Sequence, residues 1–164
     1  MERHWRRSSL RYPGYDYAQE GAVAVTICTH QRQRLFGEIQ QGEMHLSPAG
    51  ICAMTRWEHI PTRFPGVMID AFVVMPDHLH GIVITGTEPD IATGPRVGEI
   101  VRWFKSAVHA DYAKGVRHHQ WPRYEGRLWQ RDYYDHIIRN DADLEHTRGY
   151  IAANPSMWQE DPAK

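Results

Sequence analysis

VMIDAFVVMPDHLHGIVIT, Val67 to Thr85, decides the fold. Two apolar runs rich in β-branched residues, Val67 to Met75 and His78 to Thr85, flank the turn-like pair Pro76-Asp77. Each run has strand length, and so short a link makes them antiparallel neighbours. Upstream, Gly21 to Thr29 (GAVAVTICT) reads as another strand, and Leu35 to Leu46 as a small hairpin around Gln41-Gly42. Ser47 suits the N-cap of a helix through about Arg63, with Ile51, Met54 and Ile60 on its apolar face and Pro65-Gly66 as its stop. Downstream, Val97, Ile100, Val101, Phe104, Val108 and Tyr112 keep a helical period. Residues 86–95 and 115–126 read as loops, Leu128 to Ile138 as a strand, and Asp141 opens a last helix that stops at Pro155.

The order is β-α-β-β-α-β with one helix added at the C-terminal end. That is an α+β, ferredoxin-like (RRM-like) sandwich: an antiparallel sheet with helices on one face, plus the extra helix. Residues 1–20, rich in Arg, Tyr and Ser, read as a basic extended arm. The length of 164 residues suits a single domain over 1–164. With 41% apolar and 24% charged residues the chain is neither disordered nor collagen-like. Apolar runs such as Ala71 to Met75 are far too short for a membrane span. MERHWRRSSLRYPGY carries no apolar segment behind its basic residues, so a secretory signal is not expected and a cytoplasmic location is. Cys28 and Cys52 make neither a disulfide framework nor a CxxC site, and read as small side chains in a reducing compartment.

The overall charge nearly cancels, 19 Lys and Arg against 20 Asp and Glu, but its distribution is uneven. Residues 1–11 hold four arginines against Glu2, and residues 102–131 hold seven cations against Asp111 and Glu125. Trp103, Phe104, Tyr112, Trp121, Tyr124 and Trp129 lie among the second group. Cations with interleaved aromatics suit a single-stranded nucleic acid, whose phosphates they neutralise and whose bases they stack. The alternative is a solvated basic face over core aromatics.

His78 and His80 stand two apart on a strand, so both point to one face and Leu79 to the other. Two imidazoles about 7 Å apart along the backbone can converge on one divalent ion. Alternatively they are surface or hydrogen-bonded core histidines. Asp77 beside them reads as a turn stabiliser. On the last helix, Asn154 falls within about 40° of Tyr150, and Tyr150 lies about 100° from the Leu144–Ile151 core stripe. Asn154 brings an amide oxygen that suits a hard cation. Gly149, just before Tyr150, offers either local flexibility or room for a close helix contact. Two histidines on a strand, a phenol and an amide on a helix, and basic flanks would together assemble a phosphodiester site. A metal polarises the phosphate there and the phenol attacks it.

RRSSLRYPGYDYAQEGAVAVTICTH, FVVMPDHLHGIVI, VRWFKSAV and LWQRDYYDHIIRNDADLEHTRGYIAANP occur in this order along the chain. With them the chain resembles the single-tyrosine HUH transposases, and most of all their REP-associated branch. The resemblance implies that His78 and His80 bind Mg²⁺ or Mn²⁺, with Asn154 as a third ligand where many relatives carry Gln. It implies Tyr150 as the nucleophile toward single-stranded DNA, leaving a 5′-phosphotyrosine and a free 3′-hydroxyl before the strand is resealed. It makes residues 141–154 the catalytic helix and a hairpin-bearing single strand the substrate. Arg3, Arg6, Arg7, Arg11, Arg102 and Lys105 are then candidates for phosphate contacts. Tyr133, Tyr134 and His136 read as structural, and His146, one turn before Tyr150, as a possible aid to its deprotonation. Such relatives occur as monomers or as homodimers that share sites, and both states stay open. A domesticated hairpin-binding protein without turnover is the alternative function. An RRM-like RNA-binding sheet is disfavoured, since Phe72 is the lone aromatic between Val67 and Thr85.

Overall fold

The computed structural model describes residues 6–7, 21–86 and 94–159. Strand β1 (Arg6–Arg7) is followed by β2 (Gly21–Cys28), the hairpin β3 (Gly37–Gln40) and β4 (Glu43–Leu46), and helices α1 (Pro48–Glu58) and α2 (Ile60–Arg63). Then come β5 (Met68–Met75), β6 (His78–Thr85), α3 (Val97–His118), β7 (Tyr134–Ile138) and α4 (Asp141–Ala153). The main sheet has the order β1-β7-β2-β6-β5, with every neighbouring pair antiparallel. Its four long strands and α1 and α3 form the expected ferredoxin-like sandwich. Part of the basic arm is not an arm: Arg6 and Arg7 add a short edge strand against Asp135 and Tyr134.

Side-chain alternation makes the sheet two-faced. Val23, Val25 and Ile27 of β2, Leu79 and Val83 of β6 and Ile137 of β7 share one core with Trp57 of α1 and Ile100, Phe104 and Val108 of α3. Ala24, Ile82 and Ile138 point the other way and meet Ile151 of α4, with Leu144 and Tyr150 at the margin. His78 and His80 have the parity of Ile82 and therefore share the α4 face. Parity breaks only in β5, where the register slips between Ile69 and Phe72. That bulge lets Ile69, Phe72 and Val74 all reach the larger core while Asp70 turns toward α4.

Local chemistry explains where the elements end. The side chain of Ser47 accepts from Gly50 N at 3.1 Å, capping α1 as expected. The helix does not run unbroken to Arg63: Pro61 lies in the first turn of α2, and the two segments meet at His59. Conversely, α3 runs past Tyr112 through Gly115 to His118, where a loop was expected. The reason is tertiary. A Cβ at Gly115 would lie 2.0 Å from the Trp121 ring, so the missing side chain makes room for that indole. The last strand begins at Tyr134, not Leu128; residues 128–129 are bound by an isolated bridge to Thr29. Gln41 and Gly42 both have positive φ, 51° and 77°, as the two-residue hairpin turn requires. Phe104, Tyr112 and Trp129 are buried in the core, and Trp103, Trp121 and Tyr124 pack against it. These aromatics of the basic stretch thus support the fold rather than offering stacking platforms. Both cysteines are free thiols, and burial pushes the Cys28 thiol above its usual value. Among the described residues, no helix is long and apolar enough to cross a membrane.

Candidate active site

Strand pairing builds the site before any side chain is considered. The β2–β6 register sets Thr26 beside His80 and Cys28 beside His78. Thr26 Oγ1 shares a 2.7 Å hydrogen bond with His80 Nδ1. His78 Nδ1 donates to Asp77 Oδ1 at 2.6 Å, a carboxylate in the β5–β6 turn. Asp77 is therefore more than a turn residue, since it orients a histidine. The two rings meet edge to face, with Nε2 atoms 3.1 Å apart. Because a carboxylate only accepts, a neutral His78 keeps its proton on Nδ1 and presents a lone pair at Nε2. Across the 3.1 Å gap His80 donates from Nε2 while accepting from the Thr26 hydroxyl; to offer an ion its Nε2 lone pair, it carries the proton on Nδ1 and donates to Thr26 Oγ1 instead.

The donor set suits a divalent cation. Two nitrogens each about 2.1 Å from one ion, at a right angle, lie about 3 Å apart, close to the observed Nε2 separation. Each opposite ring nitrogen is tied to an oxygen, the arrangement that fixes metal-binding imidazoles in place. Among the described residues, no group of three or more His, Cys, Asp or Glu side chains forms a metal cage. The protein's nitrogen donors here are two, and any further donor has to be neutral or come from a ligand.

α4 brings the remaining groups. Asn140 caps it by accepting from Asp143 N at 2.8 Å, and Asp141 and Asp143 place negative charge in its first turn. Ile151 and Thr147 bury its inner face. Arg148 holds it to β5 through a two-pronged ion pair, each oxygen of Asp70 receiving a nitrogen at 2.7 Å. The Tyr150 ring then lies 5.4 Å from the His80 ring, tilted by 69°. Tyr150, Asn154, His78 and His80 line one cavity of about 380 Å³, joined by Thr26, Arg32 and the segment 157–159. The four residues singled out by sequence thus converge. A Cβ on Gly149 would meet nothing within 4 Å, so the close-contact reading of that glycine is corrected. His146 is exposed on the outer side of the helix. His136 Nε2 pairs with Asp143 at 2.9 Å, a structural tie between β7 and α4.

The cations divide differently. Arg3 and Arg11 lie outside the described residues, as do the side chains of Arg6 and Arg7. α3 packs on the far face of the sheet, so Arg102 and Lys105 are not brought to the cavity. Arg102 is exposed there. Lys105 Nζ donates to the carbonyls of Gln130 (2.7 Å) and Arg131 (3.2 Å), and burial lowers its pKa. That geometry makes Lys105 a loop tether. Arg32 is the cation that sequence reasoning missed: its Nε donates to Asp77 Oδ2 at 3.0 Å. Burial alone would raise the Asp77 carboxyl's pKa. The hydrogen bond from His78 and the neighbouring Arg32 guanidinium outweigh it, and the net shift is downward.

The chain has relatives among known proteins. Residues 22–154 match the family described as IS200-like transposases. An uncharacterised Haemophilus influenzae protein is 36% identical over 177 positions, covering 96% of this chain and 92% of its own. The REP-associated tyrosine transposase of Escherichia coli K12 is 33% identical over 87 positions, covering 53% of this chain and 43% of its own. Among solved structures, a REP-associated tyrosine transposase bound to a REP hairpin superposes with a TM-score of 0.59. That likeness covers 89% of this chain and 72% of the other, at 20% identity.

Proposed function

Since the chain belongs to the IS200-like transposase family and is similar to its REP-associated tyrosine branch, we propose that it nicks and rejoins hairpin-bearing single-stranded DNA through Tyr150. The observation that carries this reading is the meeting of the Tyr150 ring with the His80 ring, 5.4 Å apart, over a pair of imidazoles whose Nε2 atoms converge. A relative of the same fold is bound to a REP hairpin, which supports a hairpin as the partner here.

His78, His80 and the amide oxygen of Asn154 would hold Mg²⁺ or Mn²⁺. Such an ion, when bound, draws electron density from the phosphate and makes phosphorus more electrophilic. The chain's own groups do the rest. Asp77 and Thr26 keep both Nε2 atoms directed inward, so no reorientation is needed when DNA arrives. The ion pair between Arg148 and Asp70 holds α4 against the sheet, so the phenol waits within reach of the phosphate. The Tyr150 oxygen attacks phosphorus, the bond to the 3′ oxygen breaks, and the 5′ end stays on the protein as a phosphotyrosine. Attack by another 3′-hydroxyl reverses the sequence and reseals the strand. Duplex DNA is a poor substrate because its bases and backbone keep the paired geometry.

The test is a covalent adduct on a denaturing gel, using labelled hairpin-bearing single-stranded DNA and Mn²⁺. Wild type is expected to give the adduct, Tyr150→Phe none, and His78→Ala or chelation a strong loss. Tight hairpin binding without any adduct would instead favour a domesticated binding protein. An adduct from Tyr150→Phe would move the nucleophile elsewhere.

A further inference from the structure

We infer that Arg32 is a further catalytic residue, its guanidinium gripping a non-bridging oxygen of the phosphate that Tyr150 attacks; this rests on the nicking reading above. Among the described residues lining the cavity, Arg32 is the one Lys or Arg. Its side chain is 34% exposed, open enough to meet a ligand while tethered by Asp77.

The backbone that carries it is strained. Gln31 and Arg32 are consecutive non-glycine residues in the left-handed region, each with φ of 55°. Such conformations carry a penalty of roughly 1 kcal/mol or more apiece, and persist where the surroundings overdetermine them. Here they are overdetermined. Thr29 N donates to Asp77 O at 3.0 Å, and Thr29 Oγ1 reaches Gln33 O at 2.8 Å. Gln33 is locked in turn to the backbone of Glu125, donating at 3.0 Å and accepting at 2.7 Å. The clamped turn bends the chain back after β2 and delivers Arg32 to the rim of the histidine pair.

The guanidinium is oriented on two sides. Nε donates to Asp77 Oδ2 at 3.0 Å and Nη1 to Cys28 Sγ at 2.9 Å. Nη2 lies 3.4 Å from His78 Nδ1, but that nitrogen already gives its proton to Asp77 and has no lone pair to offer. One arm of a rigid fork is thus left to serve an acceptor in the cavity. An ion pair with Asp77 alone would require neither the doubly strained turn nor the opening to the cavity. A phosphodiester, already anionic, gathers more negative charge on its non-bridging oxygens as the phenol adds. A fixed guanidinium stabilises that charge without reorganising. In the step, the Tyr150 oxygen–phosphorus bond forms and the phosphorus–O3′ bond breaks. The phenolic proton leaves to solvent, the 3′ oxygen takes one up, and Arg32 keeps all its protons.

The experiment measures adduct formation by wild type, Arg32→Gln and Arg32→Lys on hairpin-bearing single-stranded DNA. Mn²⁺ is titrated, and the scissile phosphate is either natural or a neutral methylphosphonate. Arg32→Gln is expected to slow adduct formation about 100-fold at saturating Mn²⁺, with the Mn²⁺ midpoint within about threefold of wild type. Arg32→Lys keeps a charge over Asp77 and so preserves the fold should the Gln variant melt. It is expected to fall between, about tenfold slow. On the methylphosphonate the gap between wild type and Arg32→Gln is expected to shrink to under about tenfold, because the charge to be stabilised is gone. An Arg32→Gln rate within about threefold of wild type overturns the inference, as does an undiminished gap on the methylphosphonate. Restoration by raised Mn²⁺ also overturns it, since Arg32 would then act only through His78. Absence of any adduct from wild type is a different failure, that of the nicking reading itself.

Discussion

Gly81→Ala drives a methyl group into a filled part of the core. Gly81 follows His80 on β6 and faces the larger core. A Cβ there would lie 2.2 Å from Trp57 Cζ2 and 2.7 Å from Cε2. The indole cannot retreat easily: it is fully buried, with Phe104 edge-on at 5.4 Å and Phe72 at 6.3 Å. Overpacking of a tight core costs about 1–3 kcal/mol, and so short an approach to a boxed ring belongs at the upper end. Against this, Gly81 has no positive φ, so alanine gains about 0.4–1 kcal/mol by restricting the unfolded chain. The net expectation is about 2 kcal/mol of destabilisation, a drop of about 4–8 °C in Tm for a chain of this size. Thermal and urea unfolding of Gly81→Ala, Trp57→Leu and the double variant measure it. A smaller side chain at 57 relieves the clash, so the cycle should show a favourable coupling of at least about 1 kcal/mol. A Tm for Gly81→Ala within about 1 °C of wild type, or strictly additive effects, would refute the packing argument.

Four further expectations follow from the site and its supports. Asp77→Asn is expected to raise the Mn²⁺ concentration needed for half-maximal adduct formation by about 10–100-fold, because His78 loses the carboxylate that fixes its tautomer; a metal titration reads this. Asp70 is held below the ordinary carboxylate range chiefly by its hydrogen bond from Arg148. A depressed folded pKa means stability present above the unfolded value of about 3.9 and lost as pH falls through the lower folded one. Asp70→Asn should therefore destabilise at neutral pH and flatten the acid limb of an unfolding profile. Gly149→Ala, at an exposed helix position with open space around it, should stabilise α4 by up to about 1 kcal/mol. If the adduct rate falls while Tm rises, Tyr150 needs the freedom glycine gives. Thr147 is fully buried and its Oγ1 has no hydrogen-bond partner among the described residues. Thr147→Val is thus expected to be neutral or stabilising by about 1 kcal/mol in thermal unfolding.

The order of elements was legible because each signal was local: β-branched runs, a Pro-Asp turn, a Ser cap. So was the pairing of His78 with His80 and of Tyr150 with Asn154, which follows from strand and helix periods. What stayed hidden depends on contacts between distant segments. Trp121, although only six residues on, folds back over Gly115 as α3 ends, a contact no helical period shows. Thr26 supports His80 only once the β2–β6 register is known. Arg32 gives no sequence signal at all, since its direction comes from a turn locked by Asp77 and Glu125. Composition left two readings open for the aromatics of the basic stretch, and only their burial decides for packing.

The parity of β6 has an evolutionary corollary. Leu79 and Val83 belong to the core, while His78 and His80, on alternate positions of the same strand, line the cavity. A substitution on the cavity side of the strand therefore leaves the core hydrocarbon almost untouched. A chain built this way can change what its cavity accepts and still fold.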